Sequence, residues 1–340
     1  MAGAWAVVLA ASTPGAEQAA GGKLPPRFDA YLNGVVKPTA HERRRLLEGA
    51  PLIKLLDSDA SKEMAVFGAI WIDAPMRRYV EAVQDIERFE SGKGFNVTKR
   101  ISVPPTLENF AQMHLTAEDV SDLRTCRVGD CEVKLGERAL EQFRTQINWS
   151  APDARQAADA LMRRLTFEYV VEYLNGGNER LAVYRDDAHP RRVADEFRGM
   201  VDTMPQLTPY MDEVRRFLLE YPAVTMPDTT GFLYWQETEF GLKPTIRVSH
   251  LAIREGVDDT VVASKMLYAS HYFWTGLELR VLLRDPARGP GFWFITINRS
   301  RIDGLTGFMG MFVRWRVRSG VQEGALTVLE GAKRRVEQAR

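Results

Sequence analysis

Long apolar runs are missing from this chain: no stretch reaches the roughly 18 consecutive apolar residues that a membrane-spanning helix requires. A charge excess is missing too. The 45 basic residues balance 45 acidic ones, and this neutrality argues against a nucleic-acid partner, whose binders carry a basic surplus. The sequence contains no G-x-x-x-x-G-K-[ST], G-x-G-x-x-G, H-E-x-x-H or G-x-S-x-G, so phosphate-loop, dinucleotide and common metalloprotease chemistries lack support. No catalytic residue, cofactor or metal ligand is assigned. Cysteine is nearly absent, with two in the chain, and histidine is scarce, with five.

What is present is a chain of 340 residues with 45% hydrophobic content, long enough for one large domain with insertions or for two domains. Seven Trp and sixteen Phe supply the large aromatics that line cores and apolar pockets alike. Residues 4–11 (AWAVVLAA) and the small-residue stretch through Ala20 have the form of the apolar and cleavage regions of a secretory signal. Only Met1, Ala2 and Gly3 precede them, so a basic leader is missing, as it would be if the start codon were assigned too far downstream. A disordered leader is the other reading of residues 1–22. The two cysteines lie in Thr125-Cys126-Arg127-Val128-Gly129-Asp130-Cys131, where a Gly-Asp turn can bring them within disulfide range. Zinc would need further Cys or His nearby, and a redox pair is more often C-x-x-C, so a structural disulfide is expected. Both features point to a periplasmic or secreted protein, with a cytoplasmic one as the alternative.

Thr39 and Glu42 form a capping box for a helix reaching about Leu47. Residues 63–72 (EMAVFGAIWI) read as a strand, and Asp73-Ala74-Pro75 opens a helix that buries Tyr79, Val83, Ile86 and Phe89. A second β-leaning segment covers 95–103. Residues 104–227 are mainly helical, with helices predicted near 152–174, 190–203 and 209–220. From 228 the texture turns to β: strands are expected over 231–240, 245–254, 260–284 with a bend at Thr275-Gly276, and 291–298. Short turns between them imply an antiparallel meander. The chain closes on a helix over 311–339, with Val321, Ala325, Val328, Leu329, Ala332 and Val336 as its apolar stripe. The fold class is therefore α+β: a leader to 22, a first strand and helix over 23–103, a helical insertion over 104–227, and a meander with closing helix over 228–340.

Gly68-Ala69-Ile70-Trp71-Ile72-Asp73-Ala74-Pro75, followed by Tyr79 to Ile86, resembles the opening of the START-like, polyketide-cyclase-like proteins of the helix-grip fold. Gly304-Leu305-Thr306-Gly307 through Val336 is similar to that family's closing helix, which lies across a curved sheet. The resemblance covers 63–103 and 228–339, and the insertion between them departs from it. It implies a pocket between sheet and C-terminal helix, an apolar small molecule or lipid as partner, and transient membrane contact.

Tyr268, His271, Phe273 and Trp293 are the candidate pocket-lining residues, and Arg299 and Arg301 the candidates for pairing with a carboxylate or phosphate head group. Counting back from the turn near Val257 places His250 opposite about Ser264, too far from His271 for a shared metal. His250 and His271 are otherwise histidines satisfied by neighbours, and Arg299 or Arg301 a loop-pinning partner of Asp303. Three functions fit: a binding or transfer protein for an apolar or amphipathic molecule, an enzyme on the same scaffold, or a non-catalytic assembly subunit.

Overall fold

The computed structural model describes residues 23–207, 211–239, 243–303 and 307–338. The N-terminal layer is helix α1 (Pro26–Tyr31), which runs on as a wider turn through Val36, and α2 (Ala40–Leu47), whose capping box pairs Thr39 with Glu42 as expected. Then come β1 (Leu52–Leu55), β2 (Glu63–Ile72), α3 (Met76–Gln84), α4 (Ile86–Phe89) and β3 (Phe95–Arg100). The helical insertion holds α5 (Ala117–Thr125), α6 (Glu137–Gln146), α7 (Ala154–Gly176), the small pair β4 (Val183–Tyr184) and β5 (Arg191–Arg192), α8 (Val193–Val201) and α9 (Met211–Glu220). Strands β6 (Thr229–Thr238), β7 (Thr245–Glu255), β8 (Asp259–Ala269), β9 (Phe273–Arg284) and β10 (Phe292–Ile302) lead into α10 (Gly307–Gln338).

Eight strands form one curved antiparallel sheet in the order β1-β2-β10-β9-β8-β7-β6-β3. The meander runs from β6 to β10, and the last strand closes against β2. With α10 packed on the sheet, this is a helix-grip-like α+β architecture carrying a mainly helical insertion. All ten residues of β2 are buried, because helices cover both faces of the sheet. On the inner face Ile70, Leu282, Phe292 and Phe294 meet Tyr79 and Val83 of α3 and Leu329, Ala332 and Val336 of α10. On the outer face Phe67, Leu279, Trp293 and Ile295 meet Phe28 of α1, Phe197 of α8 and Phe217 of α9. A third cluster joins Trp235, Val248 and Leu267 to α5, α6 and α7.

Three expectations change. Residues 260–284 are two strands, because the chain reverses at Ser270-His271-Tyr272. The turn carries no Gly or Pro; Tyr272 takes a φ of 60°, and its hydroxyl accepts a hydrogen bond from the Lys243 amide at 2.9 Å. β10 extends to Ile302, so Arg299-Ser300-Arg301 belongs to a strand rather than to a loop, paired with Ala65-Met64-Glu63. Helix α3 starts after Pro75 without a side-chain cap, while the Asp73 amide donates to Glu337 at 2.8 Å. On α10, Leu329, Ala332 and Val336 are buried as expected and Val328 is exposed; the side chain of Val321 lies outside the described residues.

Cys126 and Cys131 are joined in a disulfide with Cα atoms 4.6 Å apart. Their loop is fastened to the segment after β4 by Gly129 N–H to the Arg185 carbonyl at 2.7 Å and Cys131 N–H to the Asp186 carbonyl at 2.8 Å. The neighbouring Lys134 is buried and reaches Asp186 at 2.6 Å and Asp303, just past β10, at 2.7 Å. Among the described residues no helix is long and apolar enough to cross a membrane.

Gly68 is the seat of α10. A Cβ there would stand 2.7 Å from Thr296 Oγ1 and 3.1 Å from Leu329 Cδ1. Gly68→Ala should therefore push the helix off the sheet and cost about 1–3 kcal/mol in urea denaturation, as over-packing does. Unchanged stability would mean that α10 is not held at this point.

Candidate functional site

Side chains alternate across a strand, so one strand contributes to both faces of the sheet. In β9, Leu277, Leu279 and Val281 enter the outer core, which turns Glu278, Arg280 and Leu282 to the inner face. There the apolar wall made by Leu282, Phe292 and Phe294 gives way to charge. Arg280 donates to Glu278 through Nε at 2.8 Å and Nη2 at 2.7 Å, and through Nη2 to Glu90 at 3.0 Å. Gln236 of β6 donates to the other oxygen of Glu90 at 2.5 Å and accepts from Arg247 of β7 at 3.0 Å. Thr98 of β3 donates to the Glu90 carbonyl at 2.6 Å. Two arginines thus face two glutamates, and the cluster is neutral.

The local geometry follows from the chain. Glu90 sits just past α4, where Phe89 enters the inner core and its ring lies 5.6 Å from the Arg280 guanidinium. Tyr79 of α3 packs on Phe294 with ring centroids 4.8 Å apart, and Tyr234 bonds to Ser264 at 2.9 Å. Burial opposes ionisation of Glu278, but the Arg280 guanidinium outweighs it and holds the carboxyl below its ordinary range. Burial likewise works against the charge on Arg280, and Glu278 overcomes it, so the guanidinium stays charged. Burial raises both tyrosines, which remain protonated donors.

Two donors are left over. Arg280 Nη1 and the Tyr79 hydroxyl are buried; Arg280 stands close enough to the hydroxyl to favour its ionised form, but neither atom has a well-formed hydrogen bond to a described residue. A buried polar group without a partner costs roughly 1–3 kcal/mol, and a buried ion pair is seldom more stable than apolar side chains of the same volume. An ionic cluster with free donors at the end of an apolar wall is thus hard to explain by stability alone. It is suited to holding a polar group at the end of an otherwise apolar molecule. Among the described residues no group of three His, Cys, Asp or Glu side chains is placed to hold a metal ion.

The residues singled out from sequence lie apart from this cluster. Tyr268 packs between Tyr169 and Tyr184, at 6.3 and 6.2 Å, against the helical insertion. His271 is buried and satisfied, with Nε2 2.9 Å from Asp119 and Nδ1 3.1 Å from the Glu132 carbonyl oxygen. Phe273 packs on the small cluster of Met64, Val66 and Ile302. Trp293 lies in the outer core between Phe28 and Trp71, its indole donating to Asp285 at 3.0 Å. Only Arg299 and Arg301 are brought together, on the outer face. There Glu63 receives Arg299 Nε at 2.6 Å and lies 2.8 Å from Arg301 Nε. Glu63, rather than Asp303, is thus their shared partner.

His250 pairs across the strands with Lys265 rather than Ser264. Its Nδ1 lies 3.0 Å from the Tyr173 hydroxyl, and burial, helped by the Lys265 charge, pushes its pKa down to about 3. Lys265 itself is enclosed, with Asn178 and the Leu218 carbonyl as acceptors and the Phe197 ring 4.4 Å away. Burial holds it well below the ordinary lysine range.

Sequence reading passed over Glu63, Glu90, Arg247, Gln236 and Arg280. In Leu277-Glu278-Leu279-Arg280-Val281 the charges alternate with apolar residues, which is equally the pattern of a solvent-facing strand side. Nothing within the strand tells that α4 covers it. No protein-family model and no curated protein matches the chain.

Two outcomes follow from these buried charges. Glu63→Gln leaves Arg299 and Arg301 without their shared anion and should cost roughly 3–5 kcal/mol of unfolding free energy, read from chemical denaturation; a loss below about 1 kcal/mol would show the pair to be solvated. Lys265 is depressed in the folded state, so the unfolded chain binds its proton more tightly, and stability rises with pH up to the ordinary value of 10.5. Lys265→Met should exceed the native protein at pH 7 by about 1–2 kcal/mol, with the gap shrinking by pH 9.5. A gap independent of pH would contradict the depressed pKa. His250 acts with the same sign at lower pH, withdrawing stability as pH falls from 6.5 toward 3.

Proposed function

We propose that the chain is an exported, START-like binding protein for a small amphipathic, lipid-like molecule. Its ligand takes the inner face of the sheet with its polar end at Arg280 and Tyr79, which requires the α10 side chains packed there, Leu329, Ala332 and Val336, to give way. One observation carries this reading: two buried donors without partners, Arg280 Nη1 and the Tyr79 hydroxyl, stand where an apolar wall meets an ionic cluster. Buried polar groups are nearly always paired, and these two stand together beside buried charges at the edge of an apolar wall, which favours a partner arriving from outside.

The architecture favours the same reading. The strand order places β2 and β10 side by side under α10, the arrangement in which helix-grip proteins bind ligands between sheet and helix. Ser264, Tyr234 and Thr98 add neutral hydroxyls around the charges, which suits a polar end group of modest charge. The Cys126–Cys131 disulfide is compatible with an oxidising compartment, and so with export.

Native mass spectrometry of the protein from its own cell envelope, followed by solvent extraction, should release a bound amphiphile. Tyr79→Phe removes only the unpaired hydroxyl. It should leave stability unchanged or raise it by up to about 1 kcal/mol, while occupancy by the extracted molecule falls about tenfold, equivalent to 1.4 kcal/mol. A protein that carries no small molecule, or a variant that retains full occupancy, would overturn the proposal.

A further inference from the structure

A separate cleft of about 570 Å³ opens on the other side of the molecule, between the 57–62 turn, the start of β2, the end of β10 and α8. Its volume lies within the range of small-molecule sites. The floor consists of Glu63, Arg299 and Arg301, all nearly enclosed.

Most charges in the cleft are taken up by one another. Arg299 is engaged fully, by Glu63, the Met200 carbonyl at 3.0 Å and Thr203 at 2.9 Å. Arg301 Nε lies 2.8 Å from Glu63 as an ion pair but out of line for a hydrogen bond, and Nη1 donates to Glu196 at 3.2 Å. At the rim, Asp59 is held by the Ser61 amide at 3.0 Å and Asp195 by Arg192 at 3.1 Å. Three groups remain. Arg301 Nη2 has no hydrogen-bond partner among the described residues. Lys62 Nζ stays 4.0 Å from Glu196 with its side chain 38% exposed, and Asp57 has no partner among the described residues. One end of the cleft thus offers an open guanidinium nitrogen and a loosely paired ammonium group, and the rim offers the Asp57 carboxylate.

Gly199 supplies an independent sign of a site. It lies inside α8, where glycine costs roughly 0.5–1 kcal/mol relative to alanine. A Cβ there would sit 3.6 Å from Arg301 Nη2, in ordinary contact. Alanine would fit, and it would stand against the Arg301 nitrogen that faces the cleft.

We propose that this cleft binds a zwitterion of amino-acid or short-peptide size, its carboxylate on Arg301 and Lys62 and its ammonium group on Asp57. An anion alone would meet a lining with five carboxylates against three cations. A cation alone would leave Arg301 Nη2 without an acceptor and Lys62 with only its long contact to Glu196.

Calorimetric titration of the full chain with trialanine, N-acetyl-trialanine and trialanine amide tests the assignment. Trialanine should bind, and blocking either end should weaken it about tenfold, the worth of one charge-assisted contact. Gly199→Ala should melt no lower than the native protein and yet bind trialanine about tenfold more weakly. The proposal falls if trialanine fails to bind in the millimolar range, if either blocked peptide binds as well as the free one, or if Gly199→Ala binds unimpaired. Tyr79→Phe should leave these titrations unchanged, which keeps this cleft distinct from the inner-face site.

Discussion

The pairing of β2 with β10 is the contact on which the rest of the structure depends. Ten residue pairs, from Ile72 with Phe292 to Glu63 with Arg301, join strands from the two ends of the described chain. This pairing sets which side chains of β10 face inward. Phe292 and Phe294 go to the wall under α3 and α10, whereas Trp293, Arg299 and Arg301 go to the opposite side. A slip of one residue would reverse every assignment. Glu63 locks the register, because only in this alignment does its carboxylate lie between Arg299 and Arg301.

The two faces handle buried charge differently. On the inner face Arg280 and Arg247 meet Glu278 and Glu90 through Gln236, and the cluster stands at the end of an apolar wall. On the outer face the arginines share one glutamate beneath an open cleft, while Lys265 meets no carboxylate among the described residues and relies on Asn178, a carbonyl and aromatic rings. Charge surrounded by countercharge keeps its ordinary ionisation, whereas charge surrounded by rings and carbonyls is pushed toward neutrality. Lys265 and His250 belong to the second kind.

Much of the fold was legible because hydrophobic periodicity and capping are local. The strand over 63–72, the capping box at Thr39, the long helix ending near Gly176 and the β-rich second half each leave a pattern in contiguous residues. The β8–β9 turn did not, since Tyr272 is an unusual residue for positive φ and its tether to Lys243 comes from a distant segment. The site was less legible for the same reason. Tyr268, His271 and Trp293 carry the chemistry one looks for in a pocket, but tertiary packing satisfies His271 through Asp119 and Trp293 through Asp285, and walls Tyr268 in between Tyr169 and Tyr184. Glu90 and Arg280 resemble surface residues until α4 is laid over them.

Lys134 gives the molecule a mechanical property. Its ammonium group bridges Asp186, beside the disulfide loop, and Asp303, at the exit of the last strand. Burial works against that charge, yet the two carboxylates hold it on the lysine. The insertion is thereby fastened to the strand that leads into α10, so it cannot loosen without exposing an unpaired buried cation. Opening either contact leaves a largely buried lysine with one carboxylate in place of two, so the cost of loosening the disulfide loop is shared with the exit of the last strand.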